Sequence, residues 1–300
     1  MTILPGALRS QPAFCLPMTS APSRSRLPDS PWLHEEVGRR MAERLPWIKL
    51  QPRSWLNWAP LVGGAQSHEA VLKTYPEAHT WLDGPGADVA LARWAPARSW
   101  NPFRRGPKLQ RALPGGPVDM VWANMSLHAE PEPAARLADW FARLSTDGFL
   151  MFACLGPDSL RELRALHAQH GWPEPALPFV DMHDWGDRLV GAGFAEPVMD
   201  MERIVLTYSD ATALLDELRG LGRNQHPQRF GALRSRAWGQ RYREALAQGL
   251  PRGEDGRLTL TFEVVYGHAF KPRPRVKAGE PSAISLDDMR AMLRTQRAGG

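Results

Sequence analysis

The chain has 300 residues, of which 43% are hydrophobic and 23% charged, so a wholly disordered, collagen-like or coiled-coil protein is excluded. Its formal net charge of +5 favours an acidic partner, and nucleic acid, an anionic membrane and an acidic carrier protein all satisfy that condition. No apolar run approaches the ~18 residues needed to cross a bilayer, so we expect a soluble protein.

Residues 1–30 form a leader rich in proline, serine and arginine. It contains no acidic residue before Asp29 and has no amphipathic period, so we expect it to be disordered. It lacks the apolar stretch of ~7 to 15 residues that a secretory signal needs, whereas an organelle transit peptide or a misassigned start codon remains open. Because Cys15 and Cys154 have no CxxC spacing, we predict no disulfide framework and no metal site, and we expect a cytoplasmic protein.

An amphipathic helix is predicted to begin at Pro31, because apolar side chains recur at helical spacing and two acidic residues lie in the first turn. The apolar residues are Trp32, Leu33, Val37, Met41 and Leu45. A short strand at 54–57, a Pro/Gly loop at 59–64 and a helix through 69–73 follow. This order is the beginning of an alternation of strands and helices.

The alternation continues along the chain. Further strands are predicted at 79–83, 118–124, 149–155, 197–208 and 258–268, and further helices at 88–94, 134–144, 158–169 and 184–192. Asp158 is the predicted N-cap of its helix. Residues 95–117 have no period and carry Arg98, Arg104, Arg105, Lys108 and Arg111, which predicts a basic surface loop. Strands that alternate with helices predict an α/β fold with a mostly parallel sheet and helices on both faces.

Five segments are predicted: a disordered leader at 1–30, a core at 31–210, a helical basic insertion at 211–257, the last core strand at 258–270 and a C-terminal tail at 271–300. The insertion is distinguished by its charge, because no acidic residue lies between Leu218 and Arg243 while seven arginines do. The arginines are Arg219, Arg223, Arg229, Arg234, Arg236, Arg241 and Arg243. They form either a binding face or merely a solvated basic surface.

The first strand-to-helix loop is a candidate nucleotide-type site. A ligand of that kind approaches backbone N–H groups at the beginning of a helix, which favours glycine there. Within residues 57–64 the paired glycines Gly63 and Gly64 meet this requirement. The alternative is that the two glycines only form a turn.

Three side chains at the ends of later strands are further candidates. Asp83 ends its strand about 20 residues after the first loop, where an acidic residue accepts hydrogen bonds from both hydroxyls of a ribose; it is also a common turn former. Asn124 and His128 follow the next strand, and both are placed to line the same cleft. His128 is a candidate base or substrate donor, or an ordinary loop residue.

Several segments resemble one known family over about residues 31–270. They are residues 31–37, 44–52, 118–128, 149–162 and 258–268, and the stretches 156–163 and 261–267 are the most particular of them. Together they are similar to the malonyl-[acyl-carrier protein] O-methyltransferases of biotin biosynthesis, a family of class I enzymes that use S-adenosyl-L-methionine. The resemblance implies a seven-stranded, Rossmann-like class I methyltransferase sheet. It also implies esterification of the free carboxylate of a malonyl group on acyl-carrier protein.

The resemblance also assigns roles to residues of this chain. It places the cofactor loop on residues 59–64, and the predicted cofactor-binding residues here are Asn57, Ala59, Gly63 and Gly64. It places the ribose-binding acid at Asp83. Asn124 becomes a residue of the cofactor cleft. His128, from its position after the same strand, is the residue that we predict to contact the substrate.

The first loop departs from the family pattern Asp-Leu-Gly-Cys-Gly-x-Gly. Asn57 replaces the acidic residue, and Pro60 has no N–H group to donate. Trp58 and Leu61 bring side chains to positions where glycine leaves space. Two functions therefore remain: an active methyltransferase, or a methyltransferase-like binding or scaffolding protein without activity.

The predicted reaction needs no general base from the protein. A malonyl carboxylate is ionised at neutral pH, so methylation needs positioning rather than a base, and we name no catalytic residue. Acyl-carrier proteins are acidic, so four arginines of the insertion are predicted to bind one. They are Arg223, Arg229, Arg234 and Arg236. No nucleic-acid partner is expected, because no recognised binding motif is present and the aromatics Phe230, Trp238 and Tyr242 are too sparse for a stacking surface. No membrane partner is expected either.

Overall fold

The structure is a computed structural model, and it describes residues 30–94, 109–111 and 116–274. The predicted leader before Ser30, most of the predicted basic loop and the predicted tail after Pro274 lie outside the described residues. Within the described part of the chain, no helix is long and apolar enough to cross a membrane.

The described residues form nine α-helices, two 3₁₀ helices (Leu45–Trp47 and Leu127–Ala129) and seven strands. The helices are α1 (Trp32–Ala42), α2 (Pro60–Gly63), α3 (Ala65–Thr74), α4 (Ala87–Trp94), α5 (Pro133–Arg143), α6 (Arg161–Gln169), α7 (Met182–Gly191), α8 (Ala211–Leu221) and α9 (Arg236–Gly249). The strands are β1 (Ser54–Trp58), β2 (His79–Asp83), β3 (Leu109–Arg111), β4 (Val118–Asn124), β5 (Leu144–Leu155), β6 (Ala195–Tyr208) and β7 (Leu258–Phe270).

The strands form one sheet in the order β3-β2-β1-β4-β5-β7-β6. Neighbours among β1 to β5 are parallel, whereas β7 runs antiparallel to both β5 and β6. Helices α8 and α9 stand between β6 and β7 in the chain. The predicted fold class is therefore confirmed: a seven-stranded, mostly parallel sheet with a helical insertion before the last strand.

The sheet is buried on both faces, because alternate residues of its central strands belong to two different apolar cores. In β4, Met120 lies in one core and Val121 in the other. The first core contains residues of α1, α3, α6, α8 and α9, and the second contains residues of α5 and α7. Burial on both faces explains the continuous apolar sequences of β4, β5 and β7.

Two predicted loops contain regular structure. Residues 59–64 include the helical turn α2, which begins at Pro60 because a proline ring suits the first helical position. The predicted basic loop at 95–117 includes β3, which pairs in parallel with β2. Its three residues carry no apolar pattern of their own, so pairing with β2 decides their conformation.

The predicted cap of α6 is wrong. That helix begins at Arg161, after Leu160 with φ 60°, and Asp158 makes no capping bond. Asp158 instead accepts two hydrogen bonds from the Arg203 guanidinium, at 3.0 and 2.7 Å. Its backbone N–H donates to Glu263 of β7 at 2.7 Å, so contact with the sheet overrides the local capping preference.

Candidate functional site

The residues predicted for a cofactor meet at one edge of the sheet. Strands β2, β1 and β4 are neighbours, and Trp58 at the end of β1 pairs in register with Asp83 at the end of β2. Asn124 ends β4 on the other side of β1. In open α/β sheets this carboxyl edge is where ligands bind.

The first loop, residues 59–64, uses its backbone N–H groups within the chain. Ala59 N–H donates to the carbonyl of Asp83 at 2.9 Å, while Val62 and Gly63 N–H both donate to the carbonyl of Ala59. Gly64 N–H donates to the carbonyl of Pro60 at 3.1 Å. The loop is therefore a closed helical turn rather than an open cradle of free N–H groups.

The next N–H groups, at the beginning of α3, are bound by a side chain of α1. The Glu35 carboxylate accepts hydrogen bonds from the N–H groups of three successive residues, at 3.0, 2.9 and 3.2 Å; the donors are Ala65, Gln66 and Ser67. Gly64, with φ +96°, permits this approach, because a Cβ atom there would collide with the carboxylate. A carboxylate is the natural ligand for the positive end of a helix dipole.

Asp83 is half-buried, and both of its carboxylate oxygens have partners. Oδ1 accepts from the Arg111 guanidinium and from Gly84 N–H, each at 2.8 Å. Oδ2 accepts from the Arg143 guanidinium at 2.6 Å. The structure thus places Asp83 at the predicted edge, but as the centre of an ion-pair network rather than as a free acceptor.

The two asparagines are buried and face one another across Gly63. Asn124 Nδ2 donates to the carbonyls of His34 and Gly63, both at 2.7 Å. Asn57 Nδ2 lies 3.0 Å from Nδ1 of His68, whose pKa burial lowers to about 4, so the neutral ring accepts this bond. The Oδ1 atoms of both asparagines have no hydrogen-bond partner among the described residues.

Several of the groups predicted to bind the adenosyl cofactor have partners within the chain in this structure. The N–H groups of Ala59, Val62, Gly63 and Gly64 and both Asp83 oxygens are engaged within the chain. The Trp58 ring also lies against the turn at Gly84, and the Leu61 side chain lies against Gly86. A cavity of about 490 Å³ nevertheless lies beside the first loop, lined by Trp32 and Glu35 of α1, Leu61, and Ala65 at the beginning of α3.

A cavity of about 430 Å³ lies beside this edge, between the sheet and the helices α6, α8 and α9; we call it the α6–α9 cavity. Its volume is within the roughly 300–1,000 Å³ that is usual for small-molecule sites. Most of the lining is apolar, for example Leu155 at the end of β5, Leu163 of α6 and Phe262 of β7. Helices α8 and α9 of the insertion thus form the outer wall of the α6–α9 cavity.

His128 borders this cavity, as its predicted contact with a substrate requires. Its Nδ1 accepts a hydrogen bond from Leu155 N–H at 3.3 Å, and its ring meets the edge of Phe179. Burial lowers the pKa of His128, and the charge of nearby His34 acts in the same direction. The ring is therefore neutral at pH 7, with its proton on Nε2.

Three of the four predicted carrier-binding arginines line the same cavity. They are Arg223, Arg229 and Arg234, whereas Arg236 is exposed at the beginning of α9 and does not line it. Arg223 and Arg229 are exposed, so they mark the solvent side of the cavity. Among the described residues, no carboxylate forms an ion pair with any of the three.

An aromatic cluster that we did not predict fixes α9 over the cavity. The Arg234 guanidinium lies between the rings of Phe230 and Trp238, at 3.8 and 4.0 Å from their centroids. Trp238 stacks on Tyr242, whose hydroxyl lies 2.8 Å from His167 Nε2 on α6. Part of the sequence signal is the four-residue spacing of Trp238 and Tyr242, which puts them on one face of α9; Phe230 and Arg234 precede that helix, so no helical period predicts their contact with it.

Nothing in the described part of the chain groups three or more metal-binding side chains in a position to hold an ion. The polar groups of the cavity include the neutral ring of His128 and the three arginines. Charged groups lie at the solvent side of the cavity, and apolar groups line its walls.

The strand order with an antiparallel β7 defines the class: a class I methyltransferase fold. The chain belongs to the malonyl-[acyl-carrier protein] O-methyltransferase family. The family member of Laribacter hongkongensis is 41% identical over 276 residues, which cover 87% of this chain and 88% of the relative. The member of Gallionella capsiferriformans is 36% identical over 260 residues, covering 81% and 86%.

Two other comparisons do not identify the family. No protein-family model matches the chain. Among solved structures, the YcgJ protein from Bacillus subtilis overlaps with a TM-score of 0.48 at 10% identity, covering 81% of this chain and 99% of its own. The family membership therefore comes from the sequence relatives.

Proposed function

We propose that this protein is a cytoplasmic enzyme of biotin biosynthesis that methylates the free carboxylate of a malonyl group on acyl-carrier protein, with S-adenosyl-L-methionine as the methyl donor. The observation that carries the proposal is the 41% identity to a malonyl-[acyl-carrier protein] O-methyltransferase over 87% of this chain. The methyltransferase strand order and the cavity beside the carboxyl edge support it.

The residues of the cavity suit this reaction because little acid–base chemistry is needed. A malonyl carboxylate is already ionised at pH 7, so the protein must position it and exclude water. A neutral His128 donates one hydrogen bond through Nε2 without neutralising the carboxylate by proton transfer. S-adenosylmethionine, when bound, supplies the electrophilic methyl group.

The basic face, Arg223, Arg229, Arg234 and Arg236, is the proposed docking surface for acyl-carrier protein. Its support is a charge argument: these arginines have no ion-pair partner among the described residues, and a carrier protein is acidic. Complementary charge raises the rate of encounter and orients the partner, so that its prosthetic arm meets the cavity.

The direct test is methyl transfer by the purified protein. Malonyl-acyl-carrier protein and isotopically labelled S-adenosylmethionine are incubated with it, and intact-protein mass spectrometry follows the carrier. We expect one labelled methyl group on malonyl-carrier protein and none on acetyl-carrier protein, which has no free carboxylate. An unmodified malonyl carrier, under conditions in which the Laribacter hongkongensis relative methylates it, would contradict the proposal.

A second candidate function is a carrier-protein-binding relative without catalytic activity. One observation favours it: most N–H groups of the first loop, and those of Ala65, Gln66 and Ser67 at the beginning of α3, are bound within the chain. Calorimetry with S-adenosylmethionine separates the two functions. Saturable heat at or below millimolar ligand supports the enzyme, and its absence supports the non-catalytic candidate.

A further inference from the structure

Residues 172–181, which connect α6 to α7, form one wall of the α6–α9 cavity without being helix or strand. Side chains of other elements hold the backbone of this segment. The carbonyl of Pro173 accepts from His167 Nδ1 at 2.6 Å. The carbonyl of Glu174 accepts from Asn224 Nδ2 at 2.7 Å. Because the segment lies outside the sheet ladder, such side-chain donors rather than strand pairing determine its path.

Arg164 of α6 holds the part of the segment that lies nearest to His128. Its half-buried guanidinium donates to the carbonyl of Leu177 at 2.6 Å and to that of Ala176 at 3.4 Å. It also forms an ion pair with the Glu174 carboxylate at 3.3 Å. An arginine suits this place, because its planar guanidinium presents several N–H donors in a fixed geometry and can bind successive acceptors at once.

Phe179 carries this fixed backbone to the ring of His128. It follows Leu177 by two residues, and the Arg164 guanidinium carbon lies 5.4 Å from the centroid of its ring. The Phe179 and His128 rings meet edge to face, with centroids 5.7 Å apart. The hydrogen bond from Leu155 N–H to His128 Nδ1 is long, at 3.3 Å, so packing against Phe179 contributes to the orientation of the histidine ring.

We infer that Arg164 is a positioning residue: by holding the carbonyls of Ala176 and Leu177 it places Phe179 against His128 and thereby fixes the histidine ring at the inner end of the cavity. This inference rests on the proposed function, because it explains how the N–H group offered to the malonyl carboxylate is oriented. A group that orients a substrate must be held to within a fraction of an ångström by the residues behind it.

Side-chain NMR of the full chain tests the positioning without any reaction. In protein with isotopically labelled histidine, the ring signal of His128 is the one lost in His128→Ala, and the nearby Phe179 ring shifts it. We expect Arg164→Ala to move this signal toward that of free histidine. Arg161→Ala is the matched control and should leave it in place, because Arg161 is an exposed arginine of the same helix outside the cavity lining. An unmoved His128 signal in Arg164→Ala would overturn the inference.

Arg164→Lys decides the question if the alanine variant does not fold. Lysine keeps the positive charge beside Glu174 but lacks the planar fork that reaches both carbonyls. We expect the His128 signal to move in the same direction, by a smaller amount. A lysine variant whose signal coincides with that of the unmodified chain would show that the two carbonyl contacts do not position the ring.

Methyl-transfer kinetics test what the positioned ring does. The carrier protein docks on the basic face, so Arg164→Ala should leave its KM within about twofold while kcat falls at least about tenfold, as expected when a positioning group is displaced. In a His128→Ala background the same substitution should have almost no further effect, since both changes remove one function. An equally large loss of kcat in that background would identify a general structural effect and overturn the inference.

The two measurements separate this inference from the proposed function. A displaced His128 signal in a chain that methylates no carrier protein would refute the proposed reaction and keep the contact from Arg164 to His128. Methylation by the unmodified chain with the same kcat in Arg164→Ala would refute the positioning role alone.

Discussion

Glu35 shows at the scale of a single residue how the candidate cofactor edge is closed. It lies in the first turn of α1, and its carboxylate accepts three N–H groups at the beginning of α3. The carboxylate compensates for the absence of a side-chain cap on α3, whose N-cap position is Gly64. One acidic side chain thus joins two helices and occupies donors that a bound anion would use.

Replacing Glu35 by alanine is expected to lower the free energy of unfolding by about 1 kcal/mol, the usual cost of losing a helix cap. Urea denaturation measures the change. Glu43→Ala is the matched control, because Glu43 is an exposed acid at the end of α1 with only a surface pair to Arg39, and its loss should cost under ~0.5 kcal/mol. An equal effect of the two substitutions would show that the Glu35 carboxylate contributes nothing beyond a surface charge.

His68 makes stability depend on pH. Burial lowers its pKa from 6.5 to about 4 in the fold, so below pH 6.5 the unfolded chain takes up a proton that the folded chain does not. Stability is therefore full above pH 6.5 and falls as the pH drops toward 4, by up to roughly 3 kcal/mol for this residue. Denaturation midpoints at pH 7.5, 6 and 5 measure the loss.

The control for this pH dependence is His68→Gln, which has no titrating ring and should flatten the profile relative to the unmodified chain. Substituting the exposed His183 in the same way should leave the profile unchanged. A His68→Gln variant with the full acid sensitivity of the parent would assign the effect to other groups.

At the scale of elements, α9 is attached to α6 by one polar contact within an aromatic cluster. His167 Nδ1 donates to the carbonyl of Pro173 at 2.6 Å, so its Nε2 accepts from the Tyr242 hydroxyl at 2.8 Å. Trp172 and Trp238 enclose this pair. The contact holds the outer wall of the α6–α9 cavity in place.

Tyr242→Phe is expected to lower the free energy of unfolding by about 1 kcal/mol, because a buried histidine nitrogen loses its donor while the ring remains. Tyr75→Phe is the matched control: the Tyr75 hydroxyl is buried without a partner in the described part of the chain, so its removal should be neutral or stabilising. Chemical denaturation compares the two. If both changes cost the same, the hydroxyl of Tyr242 makes no specific contribution.

At the scale of the whole molecule, positive charge is concentrated on the insertion. Replacing Arg229, Arg234 and Arg236 together by glutamate should abolish association with acyl-carrier protein, since it turns attraction into repulsion over the docking surface. Surface plasmon resonance at increasing salt measures this. Binding by the unmodified chain should also weaken as salt screens the charges.

Arg53→Glu serves as the control, because this exposed arginine precedes β1 at the opposite edge of the sheet. It should bind the carrier protein nearly as well as the unmodified chain. Retained, salt-independent binding by the triple variant would exclude the basic face as the docking surface.

Local sequence could predict which site residues lie at the ends of strands. Asp83 and Asn124 each follow an apolar run, and parallel strands bring such positions to one edge. The basic face was equally visible as a run of arginines. What these side chains contact could not be predicted in the same way: the Arg143 partner of Asp83 lies 60 residues further along the chain.

The sequence by itself determined the α/β class, the order of most elements and the family, because apolar periodicity, turn residues and family motifs are local properties of the chain. Only the tertiary structure decided that Glu35 closes the beginning of α3, that Asp83 lies between two arginines and that the arginines of the insertion share a cavity with His128. These contacts join residues far apart in sequence. They depend on how helices pack on the sheet, and no local pattern encodes that packing.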